Sequence, residues 1–323
     1  MKNNERDIAF YEMVFRPSAP TATPNHDTND LFTVISDAVN SEFGRKKIKL
    51  SGVEHTIELL EFNPTYSGNF AVGYIGISDS TVPVPARRHR NTKAIKFAPK
   101  GSDEDDEFGC HFFISRTPHP NGKYTFYLER MTKLGASNVQ ALFRHIFSSQ
   151  HESVKEKGGI GLFAGPHKKG KNKDVGYGII VDLVGIPSDK AATIVNQRLI
   201  TGITLVSEDT KAPFGGKKYL RARKQDLRVQ LDLQAASNVV DLFDDLKGAF
   251  KSEASKWKTA RLQFDSPTEG KGSISLDTAT GSILEDRFIK KVTITAISPQ
   301  LPTSSGQIAA HFASKVLANP QIK

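Results

Sequence analysis

The residues of this chain best suited to chemistry are two aspartates and a lysine. Asp182 lies inside an apolar run over 178–184, and 27 residues further on Asp209 and Lys211 close a second strand-like run as Asp-x-Lys. Carboxylates brought together in this way hold Mg²⁺ or Mn²⁺, and a neighbouring lysine orients the attacking water, which is the chemistry of a metal-dependent nuclease. Acid-x-Lys is a frequent triplet, however. It recurs as Glu269-Gly270-Lys271 in a turn rich in Pro and Gly. An aspartate within an apolar strand equally serves to bind backbone donors. Asp182, Asp209 and Lys211 therefore stand as weak candidates, and no catalytic residue is assigned.

Other motifs argue against an enzyme. Seven glycines fall within 158–178, and Gly165 and Gly170 have the spacing of a phosphate-binding loop, but Lys171-Asn172 follows where Lys-Ser or Lys-Thr is required. No G-x-G-x-x-G opens a helix after a strand, so dinucleotide binding is not expected. Cys110-His111 has no companion at zinc-ligand spacing, and the single cysteine forms no internal disulfide. His119 reads as a turn residue, and His145 and His151 as structural or surface positions on a helix. There is no G-x-S-x-G nucleophile elbow. No cofactor is expected, with Mg²⁺ or Mn²⁺ entering only if the chain is a nuclease.

Charge is the stronger signal. Residues 166–224 hold 12 Lys or Arg against five Asp or Glu, a local net of +7 in a chain whose formal net charge is +9. Two clusters account for most of it, both flanked by glycine. The first contains Lys168, Lys169, Lys171 and Lys173, the second Lys217, Lys218, Tyr219, Arg221, Arg223 and Lys224. Such a concentration of cations suits phosphates. If 217–224 is a strand, Tyr219 shares a face with Arg221 and Arg223, where it could stack a base. The same residues would also serve as a charged edge strand or a solvated connector. A third cluster, Arg87-Arg88-His89-Arg90 with Lys93, Lys96 and Lys100, precedes five consecutive acids at 103–107, read as a solvated loop that neutralises it.

These residues are to be positioned by an α+β fold of mixed, mainly antiparallel sheets. A strand is expected at 8–15, then a helix capped by Asn29 or Asp30, with Leu31, Val34, Ile35, Ala38 and Val39 on its apolar face and Gly44 at its stop. Short strands follow at 48–50, 55–62, 70–77, 93–98, 111–115 and 124–130. The octet at 136–143 recurs at 236–243 with six identities, each copy predicted to open a helix capped by Ser or Asn between two strands. That pattern predicts two related β-α-β units. Further strands are expected at 178–184, 227–233, 260–264, 272–276 and 288–297, and a closing helix at 305–317. An N-terminal domain of 1–160 and a basic C-terminal domain of 161–323 would accommodate them, with one continuous unit as the alternative.

The expected function is nucleic-acid binding, to RNA or DNA, through the basic surface. Two alternatives are a metal-dependent nuclease and a non-enzymatic subunit that docks onto an acidic protein partner. No secretory leader is read in the first ten residues, and the longest apolar run, 177–186, is broken by Asp182 and falls short of the roughly 18 to 20 residues that span a bilayer. A cytoplasmic protein with no membrane partner is expected. A role in bacterial antiviral defence or in a toxin system would suit a basic chain so poor in motifs.

Overall fold

The computed structural model describes residues 4–19, 21–39, 41–79, 86–88, 95–97, 105–166, 174–196, 199–207, 225–229, 248–250, 257–267, 270–279 and 283–322. The fold is α+β with mainly antiparallel sheets. In chain order its strands and helices begin with β1 (Arg6–Pro17), β2 (Thr23–Pro24), α1 (Thr28–Ala38), β3 (Arg45–Leu50), β4 (Val53–Asn63) and β5 (Phe70–Asp79). The short β6 (Ala86–Arg88) and β7 (Ile95–Phe97) precede β8 (Asp106–Ser115), β9 (Tyr124–Glu129), α2 (Ala136–Glu156), β10 (Phe163–Pro166), β11 (Asp174–Tyr177) and β12 (Ile179–Gly185). Then come α3 (Asp189–Asn196), β13 (Ile200–Ser207), β14 (Gln225–Val229), β15 (Thr259–Ser266), β16 (Gly270–Asp277), β17 (Lys291–Ile294) and α4 (Ala310–Leu317). Contacts divide the chain into two compact units: residues 1–8, 13–181 and 292–323 form unit 1, and residues 9–12 and 182–291 form unit 2.

In unit 1 the sheet runs in the order β1, β9, β8, β5, β4, β3. Its longest ladder joins β5 to β8, from Phe70 opposite Ser115 to Asp79 opposite Asp106. The acidic run expected to be a loop therefore enters the sheet: Asp106 and Glu107 open β8, and Glu107 Oε1 accepts from the Ser304 hydroxyl at 2.5 Å. Aromatic rings fill the layer between sheet and helices. Phe112 stacks on Phe126 and meets Phe143 of α2 edge-on at 5.4 Å. Gly73 makes room for it, since a Cβ there would lie 2.1 Å from Phe112 Cζ.

The first two predicted helices of unit 1 form, with different caps. Asp27, not Asn29 or Asp30, caps α1: its carboxylate accepts from the amides of Asn29 and Asp30, and the Asp30 carboxylate accepts from the Asp27 amide in return. Those backbone donors, the Asp30 amide first, hold the Asp27 carboxyl below its usual pKa. The helix ends at Ala38 rather than near Gly44, and Phe32 joins Leu31, Val34, Ile35 and Ala38 in its buried face. The first copy of the octet opens α2, with Val139, Leu142 and Phe143 buried. Neither Ser137 nor Asn138 is its cap. Gly135 stands there without a side-chain bond, and Asn138 instead donates Nδ2 back to Lys133 O at 2.9 Å. The second copy lies outside the described residues.

The segment before α4 is held by side chains of the sheet. Arg6 Nη2 donates to Leu301 O and Pro302 O at 3.0 and 3.1 Å, and the Ser305, Ile308 and Ala309 amides donate to Tyr74 Oη, Glu61 Oε2 and His111 Nε2. These bonds satisfy the backbone without helical geometry, so α4 starts at Ala310 rather than at 305.

In unit 2 four antiparallel strands run in the order β14, β13, β15, β16. Alternation along β15 buries Ala260, Leu262 and Phe264 and leaves Arg261, Gln263 and Asp265 outward. The strand expected over 288–297 is shorter than its composition suggests. Asp286–Phe288 instead forms a single 3₁₀ turn that buries Phe288, Ile289 makes one isolated bridge to Pro187, and the strand itself is Lys291–Ile294.

Candidate nucleic-acid interface

Each basic cluster lies in sequence between two strands that pair with each other. Pro166, the last residue of β10, is opposite Asp174, the first of β11, so the seven residues 167–173 leave and re-enter the sheet at one place; four are lysine and none is acidic. Ser207 of β13 is likewise opposite Gln225 of β14, and the connection between them carries six Lys or Arg against two acids. Asp79 and Asp106 bracket the third cluster in the same way, and within it the pairing of β6 with β7 sets Arg87 opposite Lys96.

The roots of the first and third connections are held by further contacts. β10 pairs with β2 as well as β11, Tyr177 Oη donates to Pro166 O at 2.7 Å, and Phe163 is buried against the ring of His26. Gly176 is required there, because a Cβ would fall 1.8 Å from Ile160 O. At the base of the third connection the Asp79 carboxylate is fully enclosed. Lys133 Nζ bonds its Oδ2, and His55 Nδ1 lies 3.6 Å from Oδ1. The Lys133 ammonium also sits 4.9 Å from the centroid of Phe108, and its backbone takes a positive φ of 74° to bring it there.

The predicted contact residues Lys168, Lys169, Lys171, Lys173, Lys217, Lys218, Tyr219, Arg221, Arg223 and Lys224 lie outside the described residues, as do Asp209 and Lys211. Asp182 is described. It sits in β12 at 3% exposure, beside Val181, whose carbonyl accepts from Arg144 Nε at 2.7 Å. Among the described residues no group of three or more His, Cys, Asp or Glu could hold a metal ion.

Two polar clusters escaped sequence reasoning because their members are far apart in the chain: Arg6, His111 and Glu129, and His55, Asp79 and Lys133. A charged residue at the end of a long apolar strand, as Asp79 is, was the available signal. Burial holds the Cys110 thiol well above its ordinary pKa, with the Glu129 charge adding to the shift. His145 and His151 on α2 are held below theirs, by burial first and then by Lys46 and Lys155 respectively.

Compared with protein-family models, curated proteins and solved structures, the chain matches none. No helix among the described residues is long and apolar enough to cross a membrane.

Proposed function

We propose that the protein binds nucleic acid, RNA or DNA, through the phosphate backbone, using lysines and arginines carried between paired strands. The observation that carries this reading is the position of the basic runs. Each starts and ends on two hydrogen-bonded strand ends, and its cations are concentrated in the short stretch of chain between them. Clustered cations that recruit phosphates release condensed counterions, and that release provides affinity largely independent of base sequence.

The test is binding of labelled single- and double-stranded RNA and DNA across a salt series, with and without Mg²⁺ or Mn²⁺, followed by a denaturing gel. A steep linear fall of log K with log salt is expected. For duplex DNA, replacing Lys168, Lys169, Lys171 and Lys173 together by Ala should lower the slope by about 3 to 4 if all four meet phosphates. No binding at moderate salt would refute the reading and direct attention to an acidic protein partner. Cleavage that depends on the metal would favour the nuclease built on Asp182, Asp209 and Lys211.

A further inference from the structure

Unit 2 carries a groove of about 620 Å³ lined by Thr201, Gln263, Asp265, Lys271, Ser273 and Arg287. Register builds it. Gln263 is opposite Ser273 and Asp265 opposite Lys271 on the outward side of the β15–β16 ladder. On the other flank of β15 the ladder with β13 shifts between Ile200 and Gly202, so Thr201 is the extra residue of a bulge and its side chain is exposed. A Cβ on Gly202 would come within 3.3 Å of Gln263 Oε1, which places the Gln263 side chain across the β13 backbone.

Arg287 is aimed from two sides. Its Nη2 donates to Ser273 O at 3.2 Å, and its guanidinium carbon lies 4.6 Å from the centroid of the Phe288 ring. Phe288 is itself buried and meets Phe264 edge-on with 6.0 Å between centroids, so a core aromatic pair fixes the cation. With one donor on Ser273, the guanidinium keeps the rest of its fork for an oxyanion. Lys271 is held loosely: Nζ lies 3.8 Å from Asp265 Oδ2 in an exposed pair, beyond hydrogen-bond length.

The lining sets two cations against one carboxylate, a net of one positive charge, and adds the donors of Thr201, Ser273 and Gln263. That complement suits an oxygen-rich group with a single negative charge. A phosphodiester has one, whereas a phosphomonoester carries about 1.5 to 2 at neutral pH. We infer that this groove seats one phosphodiester of a nucleic-acid strand. The inference rests on the nucleic-acid reading above and adds a specific seat in unit 2. Arg261 follows two residues along the same outward face, about 6.8 Å from Gln263, as the next cation on the path.

The experiment uses the full chain and two probes. Thymidylyl-thymidine, with its single phosphodiester, is titrated while the backbone amide resonances are followed. Shifts are expected at Gln263, Lys271, Ser273 and Arg287, with affinity reduced about tenfold by Arg287→Ala and several-fold by Lys271→Gln. No shift at those amides, or an equal response to inorganic phosphate, overturns the phosphodiester seat. A labelled 20-nucleotide single strand is then bound across a salt series. There Arg287→Ala should lower the slope by about 0.7. Strand binding that Arg287→Ala leaves unchanged overturns the groove alone. Dinucleotide binding without any strand binding overturns the nucleic-acid reading, and with it the claim that the groove serves a strand.

Discussion

His111 Nδ1 lies 2.7 Å from Glu129 Oε2, with both side chains 2% exposed. The other ring nitrogen accepts the Ala309 amide at 2.9 Å, so the imidazole carries its proton on Nδ1 and donates it to the carboxylate. Glu129 Oε1 accepts from Arg6 Nε at 2.9 Å, and Arg6 in turn holds Leu301 and Pro302. Glu129→Gln should therefore cost about 3 kcal/mol, because it removes the buried carboxylate charge that accepts from the Arg6 guanidinium and the His111 ring. Urea denaturation measures the loss. Nitrogen NMR of His111 should show the neutral ring protonated at Nδ1, and a ring protonated only at Nε2 would contradict the arrangement.

Lys133, its side chain about a third exposed, pairs with the fully buried carboxylate of Asp79. Lys133→Ala should destabilise the fold by about 1 to 3 kcal/mol, and adding Asp79→Asn should recover part of it, because the buried carboxylate then no longer carries the charge that Lys133 balanced. A double-mutant cycle by thermal or urea unfolding checks this, and strictly additive losses would refute the coupling.

Gly73→Ala would drive a methyl into the Phe112 ring, 2.1 Å from Cζ. The ring is clamped by Phe62, Phe126 and Phe143, so it cannot swing away cheaply. A loss of at least 1 to 3 kcal/mol is expected from overpacking. An unchanged denaturation midpoint would show that the aromatic layer yields.

Stability should fall with acidity through α2. His145 and His151 have folded-state pKa values below the ordinary 6.5. Their contribution is therefore complete above pH 6.5 and is lost as pH drops from there through the folded values, because the unfolded chain binds the protons first. Denaturation midpoints at pH 7.5 and 5.5 should differ less in the double variant His145→Gln, His151→Gln than in the unaltered protein.

Cys110 is fully buried, and its thiol is held in the unreactive protonated form. A thiol-titrating disulfide reagent should find no reactive group in the native protein at pH 8 and one in denaturant. Rapid native labelling would place Cys110 nearer the surface than the β8 core.

Period and turn chemistry made most of the sheet legible. Phe70–Asp79, Tyr124–Glu129 and Thr259–Ser266 lie where apolar and β-branched runs predicted strands, since each has enough burial to enforce its period. Misplaced ends have long-range causes. Asp106 and Glu107 are loop residues by composition, yet pairing with β5 and Ser304 makes them strand; residues 305–309 have helical content, yet Tyr74, Glu61 and His111 claim their amides first. The groove was not legible at all. Thr201, Gln263, Lys271 and Arg287 converge through strand register and a bulge, neither of which is a local property of the sequence.

Because Pro166 meets Asp174, and Ser207 meets Gln225, the gap each basic connection must close is fixed by one strand pair. Doubling such a loop raises its closure cost by only about 0.6 kcal/mol. Insertions that add or respace cations between those fixed ends therefore carry a small closure cost, so the charge of a connection can grow with its length at little loss of chain entropy.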